Sequence, residues 1–215
     1  VVIPRLTYKP APAPYPPIHQ LKCHNPIVSS NCKPQQLLVT MSEFPSAFRA
    51  AQVLGLTGAA WLSGNIFSLS LISTPALLQT LQEKQVTPSV AAKIWATIYN
   101  AGKMQNPPVA AATAAVFFYL AWSVRDGTAL SLVAAPNSSF LYAVSGILTV
   151  GIVPFTLAFM MGTNHSLEAK VGSKDESEAT RTEVESLLER WGLLNAVRGV
   201  FPLVGGVVAA LAAIP

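Results

Sequence analysis

Trp191, Asn195 and Arg198 fall at i, i+4 and i+7 within "ERWGLLNAVRGVFPLVGGVVAALAAIP", so one helix face carries all three. From Leu193 to Ile214 the same stretch is apolar enough to cross a bilayer. A charged side chain at that depth costs at least ~2.5–3.5 kcal/mol on insertion scales. An arginine with an asparagine one turn before it can hold a developing anion, provided the face turns away from lipid. Arg198 lies close to the start of the span, so snorkelling to the headgroups is the competing assignment.

Three further stripes have the same character. Thr57, Trp61, Asn65 and Ser68 follow i, i+4, i+8, i+11, and Tyr119, Ser123 and Asp126 follow i, i+4, i+7. Ser145, Thr149 and Thr156 share a third face, and Pro154 is expected to kink that helix and free backbone carbonyls. Lipid cannot solvate these groups, so the stripes are expected to converge on a bundle interior. For Ser68, Ser145 and Thr149 simple interhelical hydrogen bonding, at ~0.6 kcal/mol per bond, is the expected role. Gly205, Ala209 and Ala213 form a small-residue seam for close helix approach.

His165, in "FMMGTNHSL", is the sole histidine after residue 40. It can exchange protons near neutral pH, or it can be merely exposed at the end of its span. One histidine with few intramembrane carboxylates does not make a metal site. No dinucleotide fingerprint, phosphate-binding loop, haem-attachment motif or nucleophile elbow is present. No metal and no cofactor cradle are therefore expected.

The elements that must position these residues are helices. Hydrophobic residues make up 51% of the chain and charged ones 11%, against roughly 25% charged in ordinary soluble domains. Four apolar segments stand out, at about residues 50–72, 109–124, 140–161 and 193–214. The second is shorter than the ~20 residues a bilayer asks for. The expected fold is all-α: a four-helix transmembrane bundle over residues 41–215, with amphipathic connecting helices. One connector starts at Thr87–Pro88, presents Val90, Ile94 and Ile98 on one face, and is expected to stop at Gly102 and "NPP". The other has capping-box spacing at Thr182 and Glu185 and an apolar face of Val184, Leu187, Leu188 and Trp191, running into the last span.

Residues 1–40 read differently. They hold eight of the seventeen prolines and both cysteines, with no apolar signal region. A disordered Pro-rich leader is expected there, with Met41 as the natural start. Cys23 and Cys32, nine apart, lack zinc-ligand spacing. The net charge of +4 comes wholly from Arg5, Lys9, Lys22 and Lys33, so the body offers no basic patch for nucleic acid. Loop charges after Met41 place Lys84, Lys93, Lys103, Lys170, Lys174, Arg181 and Arg190 on one side, which the positive-inside rule assigns to the cytosol.

"WLSGNIFSLSLISTPALL", "IYNAGKMQNPPVA", "IVPFTLAFMMGTNHSL" and "WGLLNAVRGVFPLVGG" together resemble the anthrone oxygenase family of fungal polyketide pathways, across about residues 48–214. That resemblance implies a small integral protein of the endoplasmic reticulum or another endomembrane, embedded in the lipid bilayer. It implies oxidation of an anthrone to an anthraquinone by molecular oxygen without metal or flavin. The residues are compatible with that chemistry. A base takes a proton from the acidic central methylene, the carbanion reduces oxygen, and a peroxide loses water.

His165, or a water held by Asn164, is the expected base. Arg198 with Asn195 and Asn65 would steady the enolate oxygen. Trp61, Trp95 and Trp191 would stack on the planar aromatic substrate, with Tyr119 and Thr156 also on its binding faces. An interfacial belt is the alternative for Trp95 and Trp191. A redox-neutral tailoring enzyme, such as an epoxide hydrolase or cyclase, could use the same pocket. A non-enzymatic membrane scaffold would tolerate loss of Asn65 and Asn195.

Overall fold

The computed structural model describes residues 44–214, and the expectations for the leader and its cysteines lie outside the described residues. Four long helices account for nearly all of the described chain: α1 (Ser46–Gln82), α2 (Pro88–Ser123), α3 (Ser138–Glu168) and α4 (Glu178–Ala213). No strand occurs among the described residues. Each helix packs mainly on two neighbours, in the ring order α1, α2, α3, α4 and back to α1. Among the described residues α1, α3 and α4 are long and apolar enough to cross a membrane. In α2 only the second half is apolar, matching the short second segment seen in the sequence.

The outer surface is apolar. Leu193, Val197, Val200, Val204, Val207 and Leu211 stand exposed along one face of α4. At 1.5 Å per residue that stripe covers about 27 Å, close to a bilayer's hydrocarbon thickness. An exposed apolar band of that length is foreign to a soluble monomer.

Three hydrophobic layers stack along the bundle. Phe48, Phe117, Leu120 and Tyr142 fill one end. Leu81, Trp95, Leu167, Leu188 and Trp191 fill the other. A thinner layer of Leu62, Ile66, Ala110 and Ile152 lies between them. Small residues set the approach of α4 to α3: a Cβ on Gly205 would stand 3.0 Å from the Ser145 carbonyl oxygen.

Both expected connectors are the first halves of long helices. α4 begins at Glu178, capped by the Ser177 side chain accepting from the Thr180 amide at 3.3 Å, rather than at Thr182. Its Val184, Leu188 and Trp191 are buried as the periodicity predicts. In α2 the Thr87 cap and Pro88 start hold, but the helix does not stop at Gly102; it runs on through Pro107 and Pro108 to Ser123. It also buries Ala91, Trp95 and Tyr99, leaving Val90 and Ile94 exposed. A proline pair deletes two backbone donors without ending a helix whose neighbours pack against both sides of the gap.

Prolines recur in the helices that surround the middle layer. Pro107, Pro108, Pro154 and Pro202 lack N–H groups, so the carbonyls of Lys103, Met104, Val150 and Arg198 lose their usual donors. The regular pattern of α3 is broken at Gly151, next to Val150, as Pro154 predicts. Two widened π turns sit at the same level, Leu69–Ser73 in α1 and Thr156–Met160 in α3. Such turns shift the face a helix presents and are frequent at functional sites.

Candidate active site

The face Trp191, Asn195, Arg198 turns inward, and all three side chains are buried. Asn195 is fully enclosed; its amide nitrogen donates to the Ile66 carbonyl at 2.9 Å and to Ser70 Oγ at 2.8 Å. Its amide oxygen accepts from Arg198 Nη2. Arg198 Nη1 donates to Thr156 Oγ1 at 3.2 Å, and the Thr156 hydroxyl donates back to the Ile152 carbonyl at 2.7 Å. Both partners, Ser70 and Thr156, belong to the π turns. The widened backbone thus delivers one hydroxyl from α1 and one from α3 to the same pair on α4.

Arg198 Nε is buried with no acceptor, and no carboxylate pairs with this guanidinium among the described residues. Burying a charge without a counter-ion is among the costliest arrangements a protein can hold. An anion at this position would offset that cost.

Arg198 forms one wall of a cavity of about 280 Å³ between α2, α3 and α4. Tyr99, Gly102, Lys103, Asn106 and Pro107 line it from α2, and Ile152, Val153, Thr156, Leu157 and Met161 from α3. The apolar residues supply flat walls for a hydrophobic ligand, and the polar ones supply donors. Asn106 is buried, accepts from Asn65 Nδ2 at 2.7 Å, and keeps its own Nδ2 without a partner. The Tyr99 oxygen accepts from Asn164 Nδ2 at 3.2 Å, so the phenol hydrogen is not used in that bond. Lys103 stands at the rim with Nζ 5.8 Å from the Tyr99 ring centroid. No acidic residue lines the cavity. Its polar lining suits an electron-rich or anionic oxygen on an otherwise apolar molecule.

The structure brings Arg198, Asn195, Thr156, Asn65 and Asn164 to the cavity or one bond behind it. It does not bring the others. His165 is exposed, pointing away from the buried Asn164 that precedes it, because successive helical residues diverge by about 100°. Trp61 is 45% exposed and Tyr119 50%, so both look outward. The α1 stripe starts outward at Thr57 and Trp61 and reaches the interior only near Asn65; the inward face is Ala59, Leu62, Ser63 and Ile66. Trp191 is fully buried but lies behind the cavity, edge-on to Trp95 at 6.0 Å. Trp95 is core as well, stacked on Tyr99 at 5.1 Å, so neither forms an interfacial belt. Ser145 and Thr149 point inward, yet their hydroxyls bond carbonyls of their own helix, at 2.9 Å and 2.8 Å.

Tyr99, Lys103 and Asn106 are absent from the sequence-derived set. Their signal is nonetheless there: Trp95, Tyr99, Gly102 and Asn106 follow i, i+4, i+7, i+11. Ending the helix at Gly102 cut that stripe in two.

Comparison with known proteins agrees with this architecture being an enzyme's. The sequence model of the anthrone oxygenase family matches residues 95–208, which contain every cavity-lining residue. The anthrone oxygenase encC of Aspergillus fumigatus is 36% identical over 175 residues, covering 76% of this chain and 92% of that protein. The monooxygenase hypC of Dothistroma septosporum is 32% identical, covering 74% of this chain and 80% of that protein. The noranthrone monooxygenase of Aspergillus flavus is 32% identical, covering 73% and 69%. No solved structure matches significantly. By family model and by relatives aligned over most of its length, this chain belongs to the anthrone oxygenase family and is an enzyme of the monooxygenase class.

Proposed function

We propose that this chain is an integral membrane oxygenase that converts an anthrone-type aromatic polyketide to its quinone with molecular oxygen and no other cofactor. The observation that carries this is Arg198: a buried guanidinium without a carboxylate partner, facing a cavity whose uncommitted polar groups are donors. The relatives named as anthrone and noranthrone oxygenases supply the substrate class. The apolar outer band supports residence in a bilayer, where a flat three-ring substrate also partitions.

The chemistry follows from the substrate's acidity. Transfer of a proton from the central methylene to solvent leaves an enolate whose charge rests on the carbonyl oxygen. Arg198, held by Asn195 and Thr156, meets that oxygen, with Asn106 Nδ2 as a second donor. Preorganised donors of this kind act strongly because the site is shielded from water. The electron-rich enolate is itself the reductant for oxygen, so an electron-carrying cofactor is unnecessary in this scheme. Leu157, Val153, Ile152 and Pro107 exclude water and a second substrate molecule, which limits coupling between radicals.

The test is oxygen uptake and quinone formation from emodin anthrone by membranes containing the full chain, against membranes without it, because anthrones autoxidise. A rate well above the control that survives chelator treatment and flavin removal is expected. A rate equal to the control, or one restored only by added metal or flavin, contradicts the proposal.

A further inference from the structure

We propose that Tyr99 is the acid–base residue for the second half of the reaction, in which the substrate's hydroperoxide becomes quinone and water; this rests on the oxygenase reading above. Tyr99 is buried on the cavity wall, 8% exposed, with its ring nearly parallel to Trp95 at 5.1 Å and 5°. Trp95 is in turn locked edge-on against Trp191 at 87°. The phenol is therefore held in one plane by two core indoles. Asn164 donates to its oxygen, which leaves the phenol O–H to point at whatever occupies the cavity. Lys103 stands 5.8 Å from the ring centroid, and Arg198 lines the same cavity. One phenol thus has a hydrogen-bond donor at its oxygen, a cation beside its ring and a second cation on the same cavity wall. They hold its anion once it forms, and no carboxylate lining the cavity opposes them.

This placement suits a proton that leaves and returns. After the enolate carbon bonds to oxygen, the terminal peroxide oxygen carries the negative charge. Tyr99 gives it a proton: the phenol O–H bond breaks, the hydroperoxide O–H bond forms, and a phenolate remains. The phenolate then takes the second hydrogen from the same carbon as a proton. The electron pair of that C–H bond becomes the carbonyl π bond as the O–O bond breaks and hydroxide leaves. Hydroxide combines with the proton released in the first step to give water. The methylene carbon loses four electrons, oxygen gains four, and Tyr99 ends as it began. Asn164 is a positioning residue: it holds the phenol oxygen and steadies its anion, and it lines no part of the cavity itself.

Oxygen uptake, quinone absorbance and trapped hydroperoxide would be followed together for the full-length wild type, Tyr99→Phe and Asn164→Ala. Phe keeps the stacked ring, so packing on Trp95 survives. The expected result is oxygen uptake above the vector control in Tyr99→Phe with quinone release slowed at least ~10-fold, since general acid–base groups contribute typically 10²–10⁴-fold. Hydroperoxide should accumulate in the interval. Asn164→Ala should show the same uncoupling to a lesser degree, a ratio that simple destabilisation does not move. Quinone appearing in step with oxygen uptake in Tyr99→Phe, at the wild-type rate or at a lowered one, would overturn the assignment. Wild-type protein no faster than the control would instead remove the oxygenase reading, and this proposal with it.

Discussion

Asn195 and Arg198 lie three residues apart on one helix, and the asparagine orients the arginine while anchoring itself to the neighbouring helix. Its oxygen accepts from Nη2, and its nitrogen ties to Ile66 and Ser70 of α1. The guanidinium is thus fixed on one edge, with Nε buried and without an acceptor. Arg198→Lys should not substitute, because an ammonium is a compact charge without the planar fork that bonds Asn195 and Thr156 together. The expected result is at least a ~10-fold fall in quinone formation with normal membrane insertion. Asn195→Ala should lower both activity and stability, the latter by about 1–3 kcal/mol through the buried partners left unsatisfied. Near-wild-type rates in Arg198→Lys would show that only charge matters.

The residues that face outward should be dispensable. His165→Ala, Trp61→Leu and Tyr119→Leu are expected to keep quinone formation within about twofold of wild type, as surface changes away from special features usually leave a fold intact. Activity assays on the three variants check this. Loss of activity in His165→Ala with an unchanged melting temperature would return His165 to the mechanism.

Two glycines on α1 should behave oppositely. A Cβ on Gly58 would stand 2.3 Å from Thr113 Oγ1, whereas one on Gly64 meets nothing within 4 Å. Gly58→Ala should destabilise the bundle by about 1–3 kcal/mol through overpacking. Gly64→Ala should be neutral or stabilising by up to about 1 kcal/mol, since alanine favours helix. Thermal melts in detergent distinguish the two.

At the head of α4 the Asp175 carboxylate accepts from the Thr180 hydroxyl and, at 3.1 Å, from the Ser177 amide. These bonds hold its carboxyl below the usual carboxylate range, the Thr180 bond most of all. A group with a lowered folded-state pKa stabilises at neutral pH and loses that contribution as acid protonates it, below about pH 4. Asp175→Asn should flatten the acid limb of the melting-temperature profile and leave neutral-pH behaviour almost unchanged. An identical acid limb in the variant would count against the assignment.

Sequence periodicity alone found the inward face of α4, because Trp191, Asn195 and Arg198 contrast with an otherwise apolar span. It failed on α1, where the inward face consists of Ala59, Leu62, Ser63 and Ile66. Small and apolar residues pack between helices, while Trp61 meets the outside, so polarity was a poor guide to orientation there. On α2 the proline pair concealed Tyr99 and Asn106. Proline is a strong stop signal in water, but a helix flanked by packed neighbours runs through it. The Ser70 and Thr156 contacts depend on π turns, and no residue pattern announced those in advance. The four-helix plan was therefore legible from hydropathy, the cation at its centre was legible from cost, and the donors around it needed the packing.

The central claim is that α4 carries an unpaired buried cation for an anion formed on substrate. Arg198→Met removes the buried charge at similar side-chain length and leaves the Asn195 oxygen without its donor, a cost of about 1–3 kcal/mol that the melting temperature reads separately from the rate. Quinone formation from an anthrone and the melting temperature, measured on the same preparation, give the answer. The account predicts a folded protein whose melting temperature falls by no more than about 10 °C, with the rate reduced to that of membranes lacking the protein, a loss of at least ~10²-fold where the background allows it to be seen. Wild-type quinone formation by Arg198→Met would contradict it.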